Sequence, residues 1–129
     1  KELMVTWILW ALILAMLAWM GFNYLRIRRA AKIVDNEEFE ALIRTGQLID
    51  LRDPAEFHRK HILGARNIPS SQLKTSLAAL RKDKPVLLYE NQRAQRVTNA
   101  ALYLKKQGFS EIYILSYGLD SWKGKVKTS

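Results

Sequence analysis

The residues from Leu88 to Arg96 are where this sequence could place chemistry. They follow an apolar, strand-like run that begins at Pro85 and precede a helix-like run from Val97 to Gln107. A loop between a strand and a helix N-terminus presents backbone N–H groups, and the helix dipole favours negative charge there. A cysteine in such a loop would have a stabilised thiolate and act as a nucleophile. The chain contains no cysteine, so thiolate chemistry cannot come from its own residues.

Metal and cofactor chemistry is also unsupported by the residue types. Without cysteine there are no thiolate ligands and no disulfides. The only two histidines, His58 and His61, flank the cationic residues Arg59 and Lys60, which would repel a metal ion. We therefore expect neither a metal site nor a cofactor.

The chain is strongly basic, with a formal net charge of +9 and a pI of about 10.0. Its lysines and arginines are scattered among acidic residues rather than gathered in a nucleic-acid-binding signature. A generally basic protein at a membrane surface accounts for this charge more simply. We therefore expect no nucleic-acid partner.

The N-terminal part of the chain has the composition of a transmembrane helix. Leu3 to Leu25 contain no charged residue, and at 1.5 Å per residue this run is about 34 Å long. That length can cross a bilayer core with a modest tilt. Aromatic residues that favour the interface lie toward its two ends: Trp7, Trp10, Trp19 and Tyr24. A cleaved signal peptide would have a shorter apolar core and a small-x-small cleavage site, so we interpret residues 1–25 as an uncleaved anchor.

The flanking charges predict the orientation of this anchor. Arg26, Arg28, Arg29 and Lys32 follow the apolar run, whereas only Lys1 precedes it. The positive-inside rule then places the rest of the chain in the cytoplasm, as a single-pass membrane protein. Residues 26–32 are interpreted as a basic juxtamembrane connector, with a continuation of the helix as the alternative. Its charges either act as a topology signal alone or also touch anionic headgroups.

The remaining residues alternate between strand-like and helix-like patterns, which predicts a parallel α/β sheet with helices on both faces. The predicted strands are 33–34, 47–52, 86–89 and 111–115, and the predicted helices include 36–44, a helix starting at Ser70 or Ser71, and 97–107. Ligands of such sheets bind beyond the carboxyl ends of the strands. Two segments lie there, the Asp50–Asp53 segment and the 90–96 loop. Asp50 and Arg52 can alternatively form a structural ion pair within the sheet.

Several motifs, in the right order, resemble rhodanese-like domains of the single-domain type. The segment from Ile49 to Phe57 is similar to the family pattern D-x-R-x-x-x-E-(F/Y), and the segment from His61 to Pro69 is similar to G-H-I-x-G-A-x-N-I-P. The segment from Leu115 to Trp122 resembles the closing pattern L-x-G-G-x-x-x-W. The resemblance implies a rhodanese-like domain over 33–125, followed by a tail at 126–129.

In that family a cysteine directly after the fourth strand carries a sulfane sulfur, and a six-residue loop cradles it. Counting back from Gly108-Phe109 and from Arg96 puts Asn91 in the place of this cysteine, whereas counting forward from the strand puts Glu90 there. The usual loop glycine would then be Ala94 or Arg93. An asparagine amide is not nucleophilic. A carboxylate could attack an electrophile, but it does not carry sulfane sulfur. The resemblance thus implies the fold without the activity.

The sequence therefore predicts a membrane-anchored, catalytically inactive rhodanese-like domain that acts as a binding or regulatory module at the cytoplasmic face. Its partners would be the lipid bilayer and a membrane or cytoplasmic protein. The vestigial active-site loop comprises Glu90, Asn91, Gln92, Arg93, Ala94, Gln95 and Arg96. The binding candidates are Asp50, Arg52, Glu90, Arg93 and Arg96. Two alternatives remain, a sulfurtransferase relay in which a partner supplies the cysteine, and a binder of anionic lipids or other anions.

Overall fold

A computed structural model describes residues 1–92 and 95–128 of the chain. The helices are α1 (Glu2–Ala30), α2 (Asn36–Ile43), α3 (Pro54–Arg59) and α4 (Gln95–Lys106). The strands are β1 (Lys32–Val34), β2 (Gln47–Asp50), β3 (Lys60–Ile62), β4 (Arg66–Asn67), β5 (Val86–Tyr89), β6 (Ile112–Leu115) and β7 (Val126–Thr128). Short 3-10 helices cover Ser70–Gln72, Lys74–Ala79 and Leu119–Ser121.

Helix α1 is long and apolar enough to cross a bilayer. It does not end with the apolar run at Leu25, because the same helix continues to Ala30. Most of the residues predicted as a connector are therefore helical, and β1 begins only two residues after the helix ends. The side chains of α1 are exposed from Glu2 to Phe22. Burial begins at Asn23, where the helix meets the domain. No flexible linker separates the apolar helix from the domain.

The last turns of α1 form part of the domain core. Asn23 and Ile27 are half-buried, and Ala30 and Ala31 are buried. Asn23, Ile27 and Ala30 are spaced at i, i+4 and i+7, so they share one face of the helix. This face packs beside α4 and against β1.

The main sheet has five parallel strands in the order β1-β6-β5-β2-β4. Side chains alternate between its two faces, as they must in a pleated strand. In β5, Leu88 packs with α4 on one face, whereas Leu87 packs with Phe39 of α2 on the other. The predicted parallel α/β sheet with helices on both faces is confirmed.

Two local expectations differ from the structure. The segment predicted as one helix after Ser70 consists of two 3-10 helices, in which the N–H groups of Ser76 and Leu80 reach back three residues. Leu73 and Leu80 are buried all the same, so their apolar spacing identified a buried face without distinguishing the helix type. The predicted tail after Lys125 contains β7, which pairs antiparallel with β3. This pairing is long-range, and no local pattern signals it.

Candidate functional site

The candidate site is built where β2 and β5 end side by side. These central strands are paired in register, with Asp50 opposite Tyr89, the last residue of each strand. The chain then continues into Leu51 and Arg52 after β2 and into Glu90 and Asn91 after β5. The sheet therefore brings together the two segments that the sequence singled out.

Asp50 and Arg52 form a buried ion pair at this edge. The Arg52 guanidinium donates from Nε to both carboxylate oxygens of Asp50, at 3.1 and 3.2 Å, and from Nη2 to Oδ2 at 2.9 Å. The two residues are 0% and 4% exposed. Burial opposes the guanidinium charge, but the hydrogen bonds and the charge of Asp50 prevail and raise the pKa of Arg52 above its usual value.

The remaining donors of Arg52 hold two neighbouring segments. Nη1 donates to the side-chain oxygen of Asn91 at 3.0 Å, and Nη2 also donates to the backbone carbonyl of Lys60. Arg52 thus ties the end of β2 to the 90–96 loop and to the start of β3. This geometry matches the structural interpretation of the Asp50–Arg52 pair, since the hydrogen bonds of its side chains are made within the protein.

Tyr89 completes the buried network. Its hydroxyl donates to Oδ2 of Asp50 at 2.7 Å and accepts from the backbone N–H of Ile62 at 3.1 Å. Burial, followed by the charge of Asp50, raises the pKa of Tyr89 well above its usual value. The hydroxyl therefore stays protonated and serves as a fixed donor to Asp50. Sequence reasoning treated Tyr89 only as a strand residue.

Glu90 occupies the position where an anion would sit. Its side chain is buried at 8% exposure, and its Oε2 accepts a hydrogen bond from the backbone N–H of Val97 at 2.8 Å. Val97 is the third residue of α4, where backbone N–H groups have no partner within the helix. A carboxylate is stabilised there by the hydrogen bond and by the helix dipole. The chain therefore fills its own anion position.

The structure also separates the roles of Glu90 and Asn91. Glu90 follows β5 directly, and its side chain reaches α4. The Asn91 side chain instead reaches Arg52. Of the two residues that the resemblance allowed in the place of the cysteine, Glu90 is the one that directly follows β5.

A segment that sequence reasoning did not place in the site closes the loop from the other side. The backbone N–H groups of Leu119 and Asp120 donate to the carbonyl oxygens of Glu90 at 2.8 Å and Asn91 at 3.0 Å. Gly118 has a φ of +69°, and a Cβ there would collide with both carbonyl oxygens. The sequence signal for this contact was Gly118, the glycine of the closing pattern L-x-G-G-x-x-x-W that this chain retains.

A cleft of about 260 Å³ opens beside Asn91, between α3 and the 118–120 segment. Its polar lining consists of Arg52, Glu56, Arg59, Lys60, Asn91 and Asp120. The Oε2 atom of Glu56 is buried and has no hydrogen-bond partner among the described residues. Only Arg52 was a binding candidate from sequence. The other charged residues come from three separate elements: Glu56 and Arg59 from α3, Lys60 from β3, and Asp120 from the 3-10 helix at Leu119–Ser121.

The other predicted loop residues lie elsewhere. Arg96 is exposed on α4 and lines a separate cavity of about 320 Å³ between α4 and the 70–74 segment, with no described ion pair to Glu90. Gln92 donates to Asp120 at 3.4 Å, and Gln95 donates to Asn99 at 2.8 Å. Arg93 and Ala94 lie outside the described residues.

Comparison with known proteins finds a matching family and similar sequences. The family model of the rhodanese-like domain matches residues 35–125 of this chain. The chain is 48% identical to the uncharacterized protein YqhL of Bacillus subtilis over 113 residues, which cover 88% of this chain and 89% of that protein. It is 36% identical to the thiosulfate sulfurtransferase GlpE of Stutzerimonas stutzeri over 95 residues, covering 71% of this chain and 84% of GlpE.

Solved structures agree on the fold. A rhodanese-related protein from Thermoplasma volcanium superposes with a TM-score of 0.69 at 23% identity. The match covers 76% of this chain and 99% of that one.

Proposed function

Because this chain belongs to the rhodanese-like domain family, we propose that it is a membrane-anchored, catalytically inactive member of the family. In this proposal the domain acts as a binding or regulatory module at the cytoplasmic face. The ligand or partner binds at the cleft beside the 90–96 loop, and α1 holds the domain at the membrane.

The observation that carries the proposal is the Glu90 carboxylate bound to the N-terminus of α4. A persulfide-forming enzyme needs a thiolate at this position, and the chain has no cysteine to provide one. Glu90 does not carry sulfane sulfur, and its negative charge repels an anionic donor such as thiosulfate. The GlpE proteins named as thiosulfate sulfurtransferases share 32–37% identity with this chain over 79–95 aligned residues. For these reasons, we do not assign their thiosulfate sulfurtransferase activity to this chain.

Membrane anchoring is supported by the length and exposure of α1. The apolar stretch is exposed along the whole run from Leu3 to Phe22, and a helix so apolar on all sides is suited to lipid. Arg26, Arg28 and Arg29 follow it on the side that continues into the domain. The positive-inside rule supports a cytoplasmic domain.

Transfer of the outer sulfur of thiosulfate to added cyanide, which yields sulfite and thiocyanate, tests the absence of catalysis. The full chain in nanodiscs is compared with GlpE and with the Glu90→Cys and Asn91→Cys variants. We expect GlpE to turn over and the native chain to show no thiocyanate above background. Activity of Glu90→Cys but not Asn91→Cys would support the register inferred from the geometry. Turnover by the native, cysteine-free chain would refute the proposal.

Affinity purification from native membranes tests the binding role. We would compare the native chain, an Arg59→Ala/Lys60→Ala variant of the cleft, and a chain whose residues 3–25 are replaced by an unrelated spanning helix. Loss of a partner with the cleft variant alone supports a binding module. A copurified protein that carries a persulfide would instead favour the relay alternative. Loss only with the exchanged helix would assign the contact to α1 and contradict the role of the cleft.

A further inference from the structure

A second cavity, separate from the cleft, lies between α4 and the 70–74 segment. Its volume is about 320 Å³, which falls within the range of small-molecule pockets, about 300–1,000 Å³. One wall is a face of α4 that extends from its first residues to Tyr103, and the other wall is the 70–74 segment. No described residue lines both this cavity and the cleft. A ligand bound here would therefore use contacts of its own.

The inner surface of this cavity is apolar and belongs to the domain core. Leu73 and Ala100 are buried, at 3% and 4% exposure, and Tyr103 packs against the core cluster that contains both. Arg96, Ala100 and Tyr103 are spaced at i, i+4 and i+7, so they share one face of α4. The cavity thus offers a fixed apolar surface on which the body of a ligand can rest.

The rim of the cavity carries positive charge that no described carboxylate neutralises. Lys74 and Arg96 are exposed, and neither belongs to a described ion pair. The described lining residues include no aspartate or glutamate. The Nζ atom of Lys74 lies 5.5 Å from the centre of the Tyr103 ring on the opposite wall. This cation–π contact holds the ammonium group across the cavity.

Hydroxyl and amide groups complete the lining. The side-chain hydroxyls of Ser70, Ser71 and Tyr103 form no hydrogen bond among the described contacts. The side-chain oxygen of Asn99 accepts from Gln95 at 2.8 Å, which leaves the Asn99 amide nitrogen as a donor. These neutral donors and the two cations can together contact several oxygens of one anion.

We propose that this cavity binds a small organic phosphate monoester, whose apolar or planar body rests on the surface of Leu73, Ala100 and Tyr103. A phosphate monoester carries a charge of about −1.5 to −2 at pH 7, which matches two cations without a carboxylate beside them. Arg96 offers a planar fork for two phosphate oxygens, and Lys74 offers a point charge for a third. This site is additional to the cleft, and its chemistry requires neither Glu90 nor a membrane.

Simpler anions would satisfy only part of the lining. Inorganic phosphate would leave the apolar surface of the cavity in contact with water, and that surface would contribute nothing to binding. A sulfate ester or a carboxylate carries a single negative charge and would leave one of the two cations uncompensated. A dianion with an apolar body uses both parts.

Isothermal titration calorimetry of the full chain in maltoside micelles tests this preference, with phenyl phosphate as the probe. Phenyl sulfate has the same ring with one charge, and inorganic phosphate has the charge without the ring. We expect phenyl phosphate to bind about tenfold more tightly than either. Equal affinity for phenyl phosphate and one of the comparison anions, or no binding of phenyl phosphate at millimolar concentration, would overturn the proposal.

The charge contribution is tested by Lys74→Ala/Arg96→Ala. This variant removes both cations of the rim, and we expect the affinity for phenyl phosphate to fall about tenfold or more. The matched control is Lys105→Ala/Lys106→Ala, which removes two exposed cations from the last turn of the same helix, outside the cavity. The control should leave the affinity nearly unchanged. Equal losses in the two variants would show general charge attraction and refute the site.

The contribution of the cavity itself is tested by Asn99→Trp. The indole fills the space between the walls, whereas both cations remain. Asn99 is exposed on α4, so the variant should keep its fold, which an unchanged urea midpoint verifies. We expect phenyl phosphate binding to be lost. Undiminished binding by the folded variant would place the anion outside the cavity and refute the proposal.

A last comparison identifies the source of the phosphate. A short phosphotyrosine peptide carries the same aryl phosphate within a polypeptide. We expect it to bind no more tightly than phenyl phosphate, because the cavity is the size of a small molecule. A peptide that binds about tenfold more tightly would assign the site to a protein partner and overturn the small-molecule ligand.

Discussion

The Glu90 carboxylate lies 2.8 Å from the backbone nitrogen of Val97, and this hydrogen bond joins the end of β5 to the first turn of α4. The same residue offers its backbone carbonyl to Leu119. Glu90 thus connects three segments, the end of β5, the first turn of α4 and the 3-10 helix at Leu119–Ser121. These contacts stabilise the loop.

Replacement of Glu90 by alanine should destabilise the domain. The change leaves the buried N–H of Val97 without its acceptor, and loss of a helix-capping acceptor costs about 0.5–2 kcal/mol. The free energy of unfolding, measured by urea titration of the full chain in detergent micelles, should fall by that amount. Glu111→Ala is the matched control, because this exposed glutamate has no described side-chain bond. An equal effect of both substitutions would contradict the capping role.

Gly118→Ala should be more damaging than Gly64→Ala. Both glycines have positive φ, at +69° and +91°, and a side chain in this conformation costs roughly 1–2 kcal/mol. At Gly64 the added Cβ meets nothing within 4 Å, whereas at Gly118 it collides with the backbone of Glu90 and Asn91. Subtracting the loss of unfolding free energy at Gly64 from the loss at Gly118 gives the cost of the collision between the added Cβ and the loop backbone. Equal losses would show that the 118–120 segment does not clasp the loop.

Tyr89→Phe should destabilise the domain and change its response to high pH. The buried N–H of Ile62 loses its acceptor, which costs about 1–3 kcal/mol. The pKa of Tyr89 is raised in the folded protein, so the unfolded chain releases this proton first as the pH rises through 10.0. Stability from this group is complete below that pH and declines above it. The native chain should therefore lose more unfolding free energy than Tyr89→Phe between pH 9 and 11, and parallel pH profiles would contradict this.

Two arginine–aspartate pairs, Asp50–Arg52 and Arg81–Asp83, have the same sequence spacing but should contribute very differently to the free energy of unfolding. Arg52→Ala leaves Asp50 as an uncompensated buried charge, which costs about 3–5 kcal/mol. Arg81→Ala breaks a 2.6 Å pair with Asp83 that is exposed to solvent, and we expect no resolvable change. Arg52→Lys keeps the charge but not the paired geometry, so its loss should be intermediate. The check is urea unfolding of all three variants, and similar values for Arg52→Ala and Arg81→Ala would refute the interpretation.

Much of the fold could be predicted because its signals are local. The predicted helix at 36–44 is present as α2, and it begins with a local capping contact from the Glu38 N–H to the Asp35 carboxylate. The uncharged run of α1 and the apolar run of β5 were equally clear signals, of a helix and of a strand. Motif order then placed these elements in one family.

The candidate site was harder to predict because distant residues build it. The sequence identified Asp50, Arg52 and the 90–96 loop, but it could not decide between Glu90 and Asn91 as the residue in the cysteine position. Arg96 was a binding candidate and lies beside a different cavity. Spacing along the chain does not report which way a loop side chain points.

The sequence by itself determined that this protein has an apolar helix, a rhodanese-like α/β domain and no thiolate chemistry of its own. These conclusions depend on composition and on patterns within short segments. The tertiary structure decided that Glu90 caps α4, that Gly118 lies against the loop, and that α1 packs beside α4. Each of these contacts joins segments distant in sequence or depends on side-chain direction, which only the packing of the sheet and its helices specifies.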